Sequence, residues 1–279
     1  MKKYFLLLAF LFPFILCNGH SETYATTDQD RALAEKVLKK LEAHQDENPG
    51  DLMVRAANAL LGQPYVAGTL DELPNEKLCV YLTRTDCILF VETCLGLVQT
   101  ARRNTVSFEH FVSELQSSRY RNGVYSRYED RLHYTTEWAR QGVARGVLED
   151  MTEALGGVRY DHPVHYMSMH PDAYPRMTDV EAIKAVEDSI NAVPSTYIPK
   201  NRLKEALKGI RNGDIILFNT SIDGLDVSHC AIAKVDAGKP VRFIHASTGA
   251  KKVIVEPRTL EEYVTGRKAV TGIQVFRVR

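Results

Sequence analysis

A cysteine at a predicted helix start and two histidines on predicted strands are the residues best suited to nucleophilic chemistry. Cys87 follows Asp86 at the beginning of a long apolar-periodic segment, where the positive end of a helix favours a thiolate over a thiol. His229 lies in the run VSHCAIAKV and His245 in the run VRFIHAS, both typical of strands. A thiolate nucleophile needs a base, and the base needs a polar partner that holds it in one tautomer. We therefore predict that Cys87 is the nucleophile, His229 the base and His245 the orienting residue.

This assignment requires the helix and the two strands to meet. Alternation along the first strand places His229 and Val227 on one face and Cys230 on the other, where we expect Cys230 in the core. If the two strands pair, both histidines face the helix that begins at Cys87. The site is thus predicted at the contact between the start of this helix and the sheet.

The order of the elements predicts the fold class. Apolar spacing predicts helices over residues 28–43, 51–61, 87 to about 103, 107–119, 130–145, 178–192 and 200–208. Residues 62–84 are predicted to form a loop with a short strand, and residues 156–176 an irregular surface segment. The final third contains the β-rich runs GDIILF, VSHCAIAKV, VRFIHAS, KKVIVEP and GIQVFRVR. Helices followed by strands indicate an α+β fold, with the helices packed on a C-terminal antiparallel sheet.

The first 17 residues have the pattern of a cleaved export signal. Two lysines precede about 13 apolar residues, which are too few to span a bilayer core of about 30 Å as a helix. Cys17 follows directly, so a lipid-anchored form and a plain secreted form remain open. We predict a polar tether over residues 18–27, a single catalytic domain over residues 28–279, and a periplasmic or outer-membrane-attached location.

Bulk composition excludes several protein classes but assigns no function. The 279 residues include 35 basic and 35 acidic side chains, and 44% are hydrophobic. These proportions exclude a disordered or collagen-like chain. A balanced charge gives no reason to expect a nucleic-acid partner.

The other cysteines and histidines do not indicate a metal centre. Cys79, Cys94 and Cys230 form no CxxC pair, so we expect either disulfides or buried small side chains. His162, His165 and His170 lie in a proline-containing segment and are predicted to belong to a loop. The expected chemistry requires neither a metal nor an organic cofactor. Asp223 and Asp226 are expected to be solvent-exposed side chains of the turn before the His229 strand.

Five motifs, taken in order, resemble the NlpC-type, papain-like cysteine hydrolases of peptidoglycan. They are GQPYVAGTLDE (62–72), TDCILFVE (85–92), GDIILF (213–218), VSHCAIA (227–233) and FIHAS (243–247). The resemblance implies a papain-like fold with Cys87, His229 and His245 as the catalytic set. It also places the substrate-contacting tyrosine of that family on Tyr65, and we assign Asp86 to the substrate side as well. Ala231 stands where the family usually has glycine.

The spacing of the motifs departs from a typical member of that family. Cys87 and His229 are 142 positions apart, which predicts a large helical insertion between them. The segments LHYTTEW (132–138), VHYMSMHPDAYP (164–175) and YIPKNRL (197–203) resemble the N-acetylmuramoyl-L-alanine amidase-like branch, formerly a domain of unknown function. In this insertion His133, Trp138 and Tyr166 are candidates for a sugar-binding wall, with ordinary core packing as the alternative.

This second resemblance implies an exported hydrolase that acts on muropeptides. The bond expected to be cut is the amide between N-acetylmuramic acid and L-alanine. Two alternatives stay open: a stem-peptide endopeptidase that cuts between D-glutamate and the diamino acid, and a catalytically silent protein that binds the cell wall. A lipidated Cys17 would tether the protein to a membrane.

Overall fold

The computed structural model describes residues 23–279, so the predicted export signal and Cys17 lie outside the described residues. The helices are α1 (Asp28–Glu42), α2 (Pro49–Ala59), α3 (Cys87–Ala101), α4 (Phe108–Arg119), α5 (Thr135–Ala144), α6 (Tyr166–Met169), α7 (Val180–Asn191), α8 (Leu203–Ala206) and α9 (Leu260–Thr265). The strands are β1 (Tyr24–Ala25), β2 (Leu78–Cys79), β3 (Leu148–Asp150), β4 (Val158–Arg159), β5 (Thr196–Pro199), β6 (Ile215–Thr220), β7 (Val227–Lys234), β8 (Arg242–Ser247), β9 (Lys252–Val255) and β10 (Val270–Val278). None of the helices between residues 23 and 279 combines the length and the apolar character that crossing a bilayer requires.

The strands of the final third form the centre of a large antiparallel sheet. Its strand order is β4-β5-β10-β6-β7-β8-β9, and β3 pairs with β10 beside β5. A separate parallel pair joins β1 to β2. The predicted α+β class, with helices on a mostly antiparallel sheet, is therefore confirmed.

Polar caps set the starts of the N-terminal helices close to where the sequence predicts them. The side chains that accept the first backbone N–H groups are Thr27 for α1, Asn48 for α2, Asp86 for α3 and Ser107 for α4. Such caps satisfy donors that have no partner within the helix. Because these signals are local, the predicted and observed starts agree to within a few residues.

Three predicted segments differ from the structure. Part of the tether is ordered, because β1 pairs with β2 and the Thr26 hydroxyl donates to the Val80 carbonyl oxygen at 3.0 Å. The helix predicted over 130–145 begins only at Thr135, after a short 3₁₀ turn over residues 128–130. The segment 156–176 contains β4 and α6, so it is only partly irregular.

The two faces of the sheet pack against different helices. On one face, Leu217, Cys230 and Ile232 join the apolar core formed with α1 to α4. On the other face, Phe218 and Phe243 pack against the aromatic ring of Tyr263 and the rest of α9. Cys230 is 1% exposed, so its predicted core position is confirmed.

The long insertion is fastened to the turn that leads into β7. The backbone N–H groups of His165 and Tyr166 donate to the Gly224 carbonyl oxygen, each at 3.0 Å. Gly224 has a φ of +73°, and a Cβ there would lie 2.7 Å from the His165 ring. The N–H of Thr136 donates to Oδ2 of Asp226 at 2.7 Å. Asp226 is 3% exposed and accepts from the first turn of α5, so the expectation that it lies in solvent at the turn is wrong.

Candidate active site

Cys87 is the first residue of α3 and is partly exposed at the helix start. Asp86 caps this helix, because its Oδ1 accepts from the Leu89 N–H at 2.9 Å. An isolated parallel bridge between Tyr65 and Thr85 brings the tyrosine next to the cap. The helix start, its cap and Tyr65 therefore form one local unit.

The sheet opens next to this helix start. β7 and β8 pair at Ile232–Ile244 and onward to Lys234–Arg242, and the ladder between them does not continue toward His229 and His245. The backbone N–H of Cys230 is therefore available on the Cys87 side, where it helps to lower the pKa of the Cys87 thiol. Because the sheet opens here, the Cys87 thiol can interact with Cys230 on one face of β7 and with His229 on the other.

A β-bulge sets the direction of His229. Phe218 of β6 pairs with His229 and the next residue, Asn219, pairs with Val227, so Ser228 is the extra residue. Bulges of this kind turn side chains and are frequent next to active sites. Val227 consequently joins the core on the α3 face. The prediction that it shares a face with His229 is wrong, because the bulge reverses the alternation between these positions.

Both histidines lie on the same side of the sheet, but not on the side of α3. His229 and His245 pack against Tyr263 of α9, with ring centroids 6.4 and 6.0 Å from the tyrosine ring. The expectation that they face α3 is wrong, because α3 covers the opposite face, although Cys87 at the start of α3 lines the same cleft as both histidines.

The surroundings of Cys87 favour its thiolate. Hydrogen bonds from the Cys230 thiol and from His229 hold the pKa of Cys87 well below its usual range, although burial acts in the opposite direction. Burial and the neighbouring Cys87 raise the pKa of Cys230, which therefore keeps its proton and can donate it in a hydrogen bond. A thiolate beside an imidazole is the nucleophilic form of a catalytic cysteine.

The two histidines are hydrogen-bonded to each other. Nε2 of His229 lies 2.7 Å from Nδ1 of His245, and their rings are nearly perpendicular. Burial, together with the charge of His229, lowers the pKa of His245 to about 3, so His245 is neutral. Its Nε2 lies 3.3 Å from Oε2 of Glu256.

A cleft of about 230 Å³ opens beside Cys87. Its walls include the side chains of Tyr65, Ser228, His229, Ser247, Tyr263 and Arg267. Burial and the neighbouring Cys87 raise the pKa of Tyr65 to about 12, so its hydroxyl remains a neutral donor. Burial, with Cys87 again contributing, raises the pKa of Asp86 to about 7.

The structure does not bring the three insertion residues to this cleft. Trp138 is 3% exposed in the core of the helical layer, so its ring face is covered and cannot stack on a sugar. His133 packs against Tyr128 with 4.4 Å between the centroids of the tilted rings, and burial lowers its pKa to about 4. Tyr166 packs on His170 instead, with centroids 4.3 Å apart. Trp138 therefore has the core position of the packing alternative, while a substrate contact of the partly buried His133 and Tyr166 stays a prediction.

Sequence reasoning missed several residues around the site. Tyr263 and Arg267 line the cleft, but they lie in a short helix and turn that carry no motif. Glu256 directly follows β9 in the run KKVIVEP, where a buried acid after an apolar strand was the available signal. Placing Glu256 next to His245 requires the register between β8 and β9, and the sequence does not specify that register.

Other titratable residues do not assemble into a second centre within residues 23–279. No group of three or more His, Cys, Asp or Glu side chains in this part of the chain is arranged to hold a metal ion. Nε2 of His162 faces the carbonyl oxygens of Ile222 and Leu225 at 3.0 and 2.9 Å. The four cysteines of the described chain carry free thiols.

Comparisons with known proteins agree with this architecture. Residues 55–273 match a family described as N-acetylmuramoyl-L-alanine amidase-like. Among solved structures, the chain is similar to an N-acetylmuramoyl-L-alanine amidase from Bacteroides uniformis, with 34% identity and a TM-score of 0.78 over 83% of this chain and 99% of that one. A protein from Bacteroides fragilis described as a candidate xylanase is also 34% identical, with a TM-score of 0.75 over 80% of this chain and 99% of that one.

A more distant likeness concerns the fold alone. A protein of Legionella pneumophila shares 20% identity and a TM-score of 0.68, over 88% of this chain and 94% of that one. A comparison with curated protein sequences gave no significant match.

Proposed function

The chain belongs to the N-acetylmuramoyl-L-alanine amidase-like family, and we propose that it is a cysteine hydrolase of peptidoglycan fragments. The bond it cuts is the amide between N-acetylmuramic acid and L-alanine. The observation that carries this proposal is a single cleft lined by Cys87 at the start of α3, by His229 and by His245. His229 also helps to lower the pKa of the Cys87 thiol. The amidase name of the Bacteroides uniformis relative supports the choice of bond.

The first half of the reaction forms a thioester. The Cys87 thiolate attacks the lactyl carbonyl carbon, and the carbonyl oxygen becomes an oxyanion. The backbone N–H of Cys87 has no acceptor within its own helix and the Tyr65 hydroxyl borders the same cleft, so both are suited to donate to the oxyanion. The protonated His229 gives its proton to the departing nitrogen as the C–N bond breaks, which releases the peptide with a free L-alanine amine.

The second half regenerates the thiol. Neutral His229 takes a proton from a water molecule, and the hydroxide formed attacks the thioester carbonyl. The C–S bond breaks, and the muramic acid leaves with a free carboxyl group, which loses its proton to solvent. The sulfur departs as a thiolate, and the proton that His229 took from water restores the thiolate–imidazolium pair. The arrangement of a helix-starting cysteine and a sheet histidine supports a papain-like type of catalysis.

Location and partners follow from the substrate. Peptidoglycan lies outside the cytoplasmic membrane, so the proposal includes export to the periplasm or attachment to the outer membrane through a lipidated Cys17. Muropeptides are the proposed partners, and nothing in the charge balance calls for nucleic acid.

The test is a digest of purified muropeptides, with the products identified by mass spectrometry. Free sugar plus an intact stem peptide is the expected result, and it should disappear in Cys87→Ser and His229→Ala but persist in Cys94→Ser. A shortened stem left on the sugar would replace the amidase with an endopeptidase. Binding without any product would identify a silent wall-binding protein, and hydrolysis by Cys87→Ser at the wild-type rate would refute cysteine catalysis.

A further inference from the structure

A buried line of polar side chains runs from the cleft to the surface behind His245. Nδ1 of His245 faces His229 at 2.7 Å, and Nε2 lies 3.3 Å from Oε2 of Glu256. Oε1 of Glu256 accepts from Nε of Arg258 at 2.7 Å. His245 and Glu256 are only 2% and 3% exposed. Nε2 of His245 forms no hydrogen bond of standard geometry, so the Glu256 carboxylate at 3.3 Å is the acceptor that it faces.

The register of the sheet explains why Glu256 reaches His245. The N–H of Glu256 donates to the Phe243 carbonyl oxygen at 2.9 Å, which continues the β8–β9 ladder by one residue. Glu256 thus stands opposite Phe243, and side chains two residues apart on a strand point to the same face. His245 is therefore its diagonal neighbour on that face.

Two arrangements of protons are available to the histidine pair. In the first, His245 carries its proton on Nε2, and its Nδ1 accepts from the Nε2–H of His229. In the second, His245 carries its proton on Nδ1 and donates to His229. The second arrangement would turn the unprotonated Nε2 of His245 toward the Glu256 carboxylate, and two acceptors that face each other without a proton repel.

We propose that Glu256 is a positioning residue that selects the first arrangement and thereby directs Nδ1 of His229 to the Cys87 thiol. This inference rests on the proposed function, because it concerns the same nucleophile and base. With its Nε2–H committed to His245, His229 can take and return a proton only at Nδ1. Glu256 acts through His245 and does not itself touch the substrate.

The charged groups around His245 are consistent with this role. Burial raises the pKa of Glu256, but the hydrogen bonds and charge of Arg258 outweigh it and keep the carboxylate ionised. His229 of β7 and Arg267 of the turn after α9 both disfavour a positive charge on His245. Tyr263 of α9 covers the pair with its ring. His245 is therefore a neutral ring between His229 and Glu256.

The tautomers can be measured directly in the wild-type chain. A two-bond ¹H–¹⁵N correlation spectrum of the histidine rings should show His245 protonated at Nε2 and unprotonated at Nδ1. His229 should carry a proton on Nε2 both before and after it gains its second proton. A proton on Nδ1 of His245 would overturn the proposal, and this experiment needs no variant that has to fold.

A matched pair of variants tests the consequence for catalysis. In Glu256→Gln the side-chain amide can donate to Nε2 of His245 and so stabilise the second arrangement. We expect kcat to fall at least about tenfold, with KM within about twofold, because a wrong tautomer removes the base and leaves the cleft intact. Glu261→Gln removes the same charge from the exposed face of α9 and should keep the wild-type kcat.

A second readout separates this inference from the proposed function. Alkylation of Cys87, followed by peptide mass spectrometry across pH, reports the thiolate without any muropeptide. In Glu256→Gln the low-pH thiolate should decline, while Glu261→Gln should match the wild type. A wild-type chain that hydrolyses no muropeptide would contradict the proposed function. A fully active Glu256→Gln chain with an unchanged alkylation profile would contradict only the role of Glu256.

Discussion

The thiols of Cys87 and Cys230 interact, although Cys87 belongs to a helix and Cys230 to the middle of the sheet: Cys230 helps to lower the pKa of Cys87, and Cys87 together with burial raises the pKa of Cys230. Cys230 lies on the α3 face of β7, and the adjacent His229 lies on the other face. Cys87 therefore has a neighbour from each face of β7 that favours its thiolate. A thiolate in this position is stabilised by an S–H group as well as by an imidazole.

Replacing Cys230 tests the contribution of its thiol. In Cys230→Ala one hydrogen bond to the thiolate is lost, so the pKa of Cys87 should rise toward its usual range. Because a hydrogen bond to a charged group is worth about 1.5–3 kcal/mol, alkylation of Cys87 near pH 6 should slow on the order of tenfold. The acidic limb of kcat/KM should move to higher pH.

Cys94→Ala is the matched control for that variant. Cys94 is equally buried, burial raises its pKa, and it does not contact the site. It should lose a similar side-chain volume without any change in the alkylation profile of Cys87. Identical profiles in both alanine variants would show that Cys230 does not support the thiolate.

Asp226→Asn tests the attachment of the insertion to the strand that carries His229. The two carboxylate oxygens accept from Thr136 N–H and Val227 N–H, each at 2.7 Å. An amide can accept only one of these bonds, so unfolding should become easier by about 1–3 kcal/mol, measured by urea denaturation. Asp223→Asn is the control, because that side chain is 94% exposed and should change the stability little. Equal stabilities for the two variants would contradict this role.

The cap of α3 predicts an unusual dependence of stability on pH. Burial and the neighbouring Cys87 raise the pKa of Asp86 to about 7, well above the ordinary value of 3.8. The folded chain then binds the Asp86 proton more tightly than the unfolded chain does. The stabilisation that this proton gives the folded chain is complete below about pH 4 and is lost as the pH rises through 7. Asp86→Asn keeps an oxygen that can cap the helix, but its amide does not ionise, so the stability lost at high pH in the wild type is retained in the variant. Its melting temperature should exceed that of the wild type at pH 8, by roughly 2–4 °C for each kcal/mol, and the difference should shrink toward pH 4.

Asp179 provides a control of opposite sign. It caps α7, and a hydrogen bond from the Ala182 N–H, aided by Arg127, lowers its pKa. Its contribution is present above the ordinary aspartate pKa and is lost as the pH falls, so Asp179→Asn should destabilise the chain at neutral pH and not in acid. Circular dichroism melts of both variants across pH test this pair. The same pH trend in both would contradict the role of Asp86.

Local signals were sufficient to predict much of the fold and the placement of the nucleophile. Asp86 before an apolar-periodic run predicts a helix that starts at Cys87, and the alternating runs around His229 and His245 predict strands. These patterns involve residues close together in the chain, so the observed elements differ from the predicted ones only by small shifts of their boundaries. The structure brings Cys87, His229 and His245 together, while their catalytic roles stay a prediction.

The remaining features depend on contacts between distant segments. The bulge at Ser228 and the separation of β7 from β8 are set by pairing with other strands, which no local run encodes. The sequence made Trp138 a candidate for stacking on a sugar, but in the structure its ring is buried in the core of the helical layer. Glu256 could not be connected to His245 before the β8–β9 register was known. Periodicity states which side chains share a face, but not what lies against that face.

Tyr65→Phe tests the proposed oxyanion donor. The phenol borders the cleft next to Cys87, and with a pKa of about 12 it can donate a hydrogen bond at any working pH. If it donates to the oxyanion, loss of the hydroxyl should lower kcat about 10²–10³-fold while KM changes little, because the bond forms only in the transition state. Tyr125→Phe removes a hydroxyl bonded to the Thr23 carbonyl oxygen and should keep kcat. A Tyr65→Phe chain that raises KM alone would place the tyrosine in ground-state binding instead.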